Sequence, residues 1–161
     1  MGYWGVRSYE HDDAHDALDA GFEAAWGAEY ERLMDDRNPL TFEQVQQRLA
    51  NRQTLEAALA WLTGQFGDDF ETWDDEARLA YVGVVVRHVE LGVPVAGPML
   101  ERACAWLDAE TLDWERDQTR RDLRRRHERR LLNDAQTASG PPAASQTSPI
   151  KQPQPSDPNR P

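Results

Sequence analysis

The densest run of side chains able to do chemistry is EHDDAHDALD, from Glu10 to Asp19. In a helix that begins by Asp12, the pairs His11/His15, Asp12/Asp16 and His15/Asp19 stand four apart, on adjacent turns of shared faces. Imidazole nitrogen and carboxylate oxygen both ligate Zn, Mn or Fe. His11, Asp12, His15, Asp16 and Asp19 therefore amount to half of a divalent-metal site, of the kind a hydrolase or oxidoreductase uses. Carboxylate-bridged bundle sites complete the set with Glu-x-x-His on a second helix, and that pattern is absent here. His88 and Glu90 fall on different faces, and His127 lies far along the chain. A simpler reading needs no metal: acidic residues favour the first turn of a helix, where they meet free amides and the positive end of the dipole.

A second concentration is basic. Eight arginines occupy fifteen positions from Arg116 to Arg130. On a helix, Arg116, Arg120 and Arg124 share one side, while Arg121, Arg125 and Arg129 follow the adjacent track. These six are the candidate partner-contacting residues. Opposite charges recur three or four positions apart: Asp117 with Arg120 and Arg121, Asp122 with Arg125 and Arg126, and Arg124 with Glu128. Each such pair supports helicity by a few tenths of a kcal/mol. Only Leu123 precedes Leu131 and Leu132, so weak docking is expected, the segment projecting or lying back on the body. Arginines contact phosphates, but no aromatic residue is interleaved for base stacking, which disfavours nucleic acid as the partner.

Covalent chemistry finds little support. Cys104 sits on the apolar side of a helix beside Ala103 and Leu107, where a thiol is ordinarily inert core. Ser8 has no motif around it, and neither a phosphate-cradling glycine loop nor a Gly-x-Ser-x-Gly elbow occurs. Lys151 is the single lysine, which removes Schiff-base chemistry from the folded part.

The elements that must position these residues read as helices, an all-α bundle of four or five. The stripe Ala14, Ala17/Leu18, Phe22, Ala25/Trp26 and Leu33 predicts one helix over 12–34, capped by Asp12 or Asp13. Gly21 and Gly27 weaken it or permit a close helix crossing. Thr41 and Gln44 have capping-box spacing before Phe42, Val45 and Leu49. A further series, Leu55, Ala58/Leu59 and Leu62, follows, with ANRQ as the possible break between the two. Thr72, three residues before Asp75, predicts the cap of a helix through Tyr81, Val84/Val85 and His88. Its centre, YVGVVV, has strand-like composition, but the continuous period and the Gly92-Val-Pro94 stop favour helix. The last helix starts at Gly97-Pro98 and meets no breaker before Asn133.

Composition bounds the rest. A chain of 161 residues fits one domain. Residues 1–134 form the helical domain, of which 115–134 is the basic arm. Residues 135–161 carry seven of the ten prolines and no aromatic residue, and read as a disordered tail rich in Pro, Gln and Ser. The net charge of −11 conceals its distribution. Residues 1–114 hold 23 Asp/Glu against 8 Lys/Arg, a net of −15, whereas 115–134 carry +3. Such a body repels nucleic acid and anionic membranes. One cysteine excludes an internal disulfide. No apolar stretch approaches the roughly 20 residues of a membrane span. The opening lacks the basic start and apolar run of a signal peptide, so a cytoplasmic location is expected.

The opening MGYWGVRSYEHDDAHDA resembles a bacterial family of cytoplasmic proteins of unknown function that begin Met-Gly-x-Trp-Gly. Met1, Gly2, Trp4, Gly5, Tyr9, Asp12, Ala14 and Asp16 carry the likeness, while Arg7, Tyr9 and His11 replace the usual Gly, Phe and Asn. The resemblance covers about a tenth of the chain and implies no activity. It does imply a recurring N-terminal unit, with Trp4 and Tyr9 pinning the leader across the helices and Gly5 giving a tight turn. Together these features favour an adaptor or accessory protein without enzymatic activity or cofactor, binding protein, including a second copy of itself. The enzymatic alternative needs a divalent metal ion at the His/Asp cluster.

Overall fold

The computed structural model describes residues 2–139, and these form a helical bundle. In chain order the helices are α1 (Asp12–Trp26), α2 (Ala28–Met34), α3 (Phe42–Leu49), α4 (Arg52–Phe66), α5 (Asp75–Glu90), α6 (Gly97–Asp108) and α7 (Gln118–Ala138). Single 3-10 turns at Phe70–Thr72 and Glu115–Asp117 precede α5 and α7. The expectation of four or five helices is corrected to seven among the described residues. No helix among them is long and apolar enough to cross a membrane.

Two breaks that the periodicity hid account for the difference. Gly27 has φ 55°, so the helix expected over 12–34 stops at Trp26 and restarts at Ala28. Left-handed backbone is cheap only for glycine. The helix expected over 97–133 is interrupted at residues 109–114, where no glycine or proline warns of it. Side-chain bonds replace helical ones there: Thr111 Oγ1 donates across to Asp75 Oδ2 on α5 at 2.7 Å, and Glu115 N donates locally to Asp113 Oδ1 at 2.8 Å. Glu115 takes φ 48°, a strained value for a side chain with a Cβ.

The caps divide in the same way. Thr41 and Gln44 make the expected capping box on α3, and Asn51 with Thr54 makes a second on α4, so ANRQ is a true break. On α5 the cap is Asp74, accepting from Ala77 N at 2.8 Å, not Thr72. The N-cap of α1 is His11, which makes no side-chain cap bond, and Asp12 and Asp13 fill the first turn.

Helix α5 is central, touching α1, α4, α6 and α7. It is buried on nearly every side: Ala77, Leu79 to Val86 and His88 are all inaccessible. A helix covered all round has no reason to alternate polar and apolar faces, which explains the strand-like composition of its centre. Helix α1 packs along α4 with Gly21 at the crossing, where a Cβ would stand 2.7 Å from Ala58 Cβ and N. The leader, residues 2–10, lies across α5 at Gly83, where a Cβ would meet Ser8 O at 2.4 Å. The far end is closed by Phe66, Phe70, Trp73, Tyr81 and Trp106, with the Arg102 guanidinium 3.9 Å above the Phe70 ring. Residues 140–161, most of the expected tail, lie outside the described residues; α7 itself continues to Ala138.

Candidate functional site

Helix α7 does not project. It packs on α5 and α6 and brings Arg121, Glu128 and Leu132 into complete burial. Arg121 Nε donates to Glu110 Oε2 at 3.0 Å, and Nη2 donates to both Ser8 Oγ (3.0 Å) and Glu110 Oε1. Its Nη1 donates to Val6 O at 2.7 Å, and the guanidinium lies 4.8 Å from the Trp114 ring centroid. Glu128 accepts from Ser8 N at 2.9 Å, from Ser8 Oγ, and from Arg124 Nε at 2.9 Å. Arg124 continues to Glu90, which also accepts from Tyr9 Oη at 2.9 Å. Burial alone would lower the Arg124 pKa, but Glu128 and Glu90 hold it above the ordinary value. A buried charge is tolerated only when paired and fully hydrogen-bonded, and this network meets that condition while clamping the leader to α5 and α7.

The six arginines expected to meet a partner are thus divided. Arg121 is buried and Arg124 is largely so, both inside the clamp. Arg125 Nη2 donates to Leu107 O at 2.6 Å, and Arg129 Nε donates to Asp108 Oδ1 at 3.0 Å, tying α7 to the end of α6. Arg120 pairs with Asp117 at 3.0 Å on the surface. Arg116 is exposed and has no partner among the described residues. The outward face of α7 carries Arg126, His127, Arg130 and Leu123, at 59% the most exposed large aliphatic among the described residues.

The His/Asp cluster does not converge. His11 is fully buried beneath the leader, its ring 5.7 Å from Tyr3, and neither ring nitrogen has a hydrogen-bond partner among the described residues. Burial pushes its pKa down to about 4, against the opposing pull of the Ser8 backbone and the Asp12 carboxylate. Asp12 Oδ2 accepts from Gly2 N at 2.9 Å, and Asp19 Oδ1 accepts from Tyr30 Oη at 2.5 Å. His15 lies between Trp4 and Phe42, 3.9 Å from the Asp16 carboxylate. Among the described residues, no three His, Cys, Asp or Glu side chains are gathered to hold a metal ion. Cys104 is buried as expected, and burial raises its thiol pKa.

The leader, α1, α3 and the last turn of α5 enclose a cleft of about 280 Å³. Its aromatic wall is a run of three rings: Trp4 stands edge-on to His15 at 5.7 Å, and His15 lies tilted 5.1 Å from Phe42. The floor is charged and internally paired. Arg7 Nη1 donates to Glu10 at 2.8 Å, and Arg87 Nε donates to Gln46 Oε1 at 2.7 Å with Glu90 at 3.5 Å. The Arg87 guanidinium sits 5.4 Å from the Tyr9 ring centroid. Trp4, expected to pin the leader in the core, is 56% exposed here; Ser8 and Tyr9 do the pinning. Sequence reasoning passed over Glu110 and Gly83, and gave Glu128 only its pairing with Arg124, which the structure contains, and not its hold on Ser8. The signal that could have found Gly83 was a lone glycine inside a valine-rich helix, where only a close backbone approach repays its cost.

No protein-family model, curated protein or solved structure matches the chain.

Proposed function

We propose that the protein is a non-enzymatic cytoplasmic adaptor that works through protein–protein contacts, with the outward face of α7 as its contact surface. The observation that carries this reading is the division of labour along α7. Its inner arginines are consumed by the clamp and by the end of α6, while Arg126 and Arg130, with Arg116 on the 3-10 turn just before the helix, have no intramolecular partner among the described residues and flank exposed Leu123. That basic strip stands on a body of net −15 over residues 1–114, so the complementary surface is acidic, and a second copy supplies one. The resemblance of the opening residues to a cytoplasmic bacterial family supports the location.

Light scattering over a protein concentration series tests it. Parent protein gains mass above the monomer at low salt and loses it as salt rises, whereas R116E/R126E/R130E stays monomeric. A monomeric parent at every concentration, or retention of duplex DNA with a steep salt dependence, overturns the reading. Surface substitutions are required because removing α7 would also remove Arg121, Glu128 and Leu132 from the core.

A further inference from the structure

We propose that the cleft between the leader, α1, α3 and the end of α5 is a binding site for an organic cation, a guanidinium or alkylammonium group. Three observations converge on that chemistry. The wall is aromatic and open: Trp4 meets His15 edge-on, His15 lies tilted against Phe42, and Trp4 leaves more than half its surface in water. Aromatic faces attract cations through the ring quadrupole, most strongly at tryptophan. The cations already present are consumed. Arg7 is held by Glu10, and Arg87 by Gln46, Glu90 and the Tyr9 face. An arriving anion would therefore have to break an existing ion pair.

The carboxylates, by contrast, are in surplus. Glu43 lines the cleft with no cationic partner among the described residues. A neighbouring hollow shares Trp4, His15, Phe42 and Glu43 with the cleft and adds Asp12 and Asp16. Aromatic rings in the wall and carboxylates at the rim are the two halves of organic-cation recognition. The volume of about 280 Å³ suits one side-chain-sized group and not a cofactor. Existing contacts show the same preference in miniature, since Arg87 already lies over Tyr9 at the back of the cleft.

The site shares no residue with the outward face of α7, so the two readings fail separately. The R116E/R126E/R130E variant is expected to bind the cation as the parent does.

The probe is N-acetyl-arginine amide, titrated while following the Trp4 indole N–H and His15 ring resonances by NMR, with N-acetyl-glutamine amide and N-acetyl-glutamate amide as controls. Saturable shifts are expected with the arginine compound alone. W4A and E43Q should each weaken binding roughly tenfold, the effect of losing about 1.4 kcal/mol, without moving the thermal midpoint appreciably. E43Q keeps the side chain's shape, so it isolates charge from packing. A pentapeptide with the same arginine flanked by glycines distinguishes the source: tighter binding than the amide assigns a protein-borne side chain, and equal binding a small free cation. Shifts of equal size with all three compounds, no saturation at roughly 10 mM, or unchanged affinity in both variants would overturn the proposal. So would preference for the glutamate compound, which would mean that Arg7 and Arg87 open to an anion.

Discussion

Arg121 and Trp4 show how little residue type alone says about energetic weight. Arg121, one of eight arginines in fifteen positions, is completely buried and bonded to Glu110, Ser8 and Val6 at once. Removing one member of such a network leaves the others buried and uncompensated. Arg121→Ala is therefore expected to cost about 3–5 kcal/mol, read as a fall in the urea midpoint. Trp4→Ala, at an exposed site, should stay within about 1 kcal/mol; a large loss there would mean that Trp4 is covered in solution. Ser8, unremarkable in sequence, receives Arg121 and donates to Glu128 through backbone and hydroxyl alike. Nothing local distinguishes it, because its partners lie more than a hundred residues away.

At the scale of elements, the leader and α7 support each other across α5. Their meeting depends on Gly83, since any Cβ there would strike Ser8 O. Gly83→Ala should raise helix propensity locally yet destabilise the whole by about 1–3 kcal/mol through overpacking. Hydrogen exchange should show the loss concentrated in residues 2–11, whereas uniform protection in that segment would contradict the clamp. The helix boundaries follow the same principle. The capping box at Thr41 is legible because cap and partner lie within one turn. The break at residues 109–114 is not legible, because it is made by contacts with Asp75, Arg121 and Tyr3 that compete with helical bonding. The arm looked weakly docked because apolar spacing was the only measure available, and α7 is held mainly by buried charge.

For the molecule as a whole, two buried histidines tie stability to pH. His11 lies under the leader; His88 lies in the core, its Nδ1–H donating to Val84 O at 2.8 Å with Nε2 facing the Thr54 hydroxyl at 2.9 Å. Burial lowers both pKa values from 6.5 to about 4. Between those values the unfolded chain binds protons that the folded chain refuses, so stability is retained above pH 6.5 and lost as pH falls toward 4. Each histidine contributes on the order of 3 kcal/mol to that loss. His11→Phe should flatten the dependence between pH 6.5 and 4. It should also raise stability near neutrality by about 1 kcal/mol, because two unpartnered buried nitrogens disappear. Chemical denaturation at a series of pH values checks both, and an unchanged slope would place His11 in contact with water.

Sequence alone determined the all-α class, the central helix through YVGVVV, the Thr41 capping box, the buried Cys104 and the separation of an acidic body from a basic helix. These depend on period, on spacing within a turn and on composition, all of which are local. Tertiary structure decided which arginines face outward and which close the core, that the leader is pinned by Ser8 and Tyr9 instead of Trp4, and that the His/Asp run disperses. It also decided that a cleft exists between Trp4 and Arg87. Those outcomes depend on which distant groups satisfy a buried charge or amide, and that pairing is set only when α5, α7 and the leader come together.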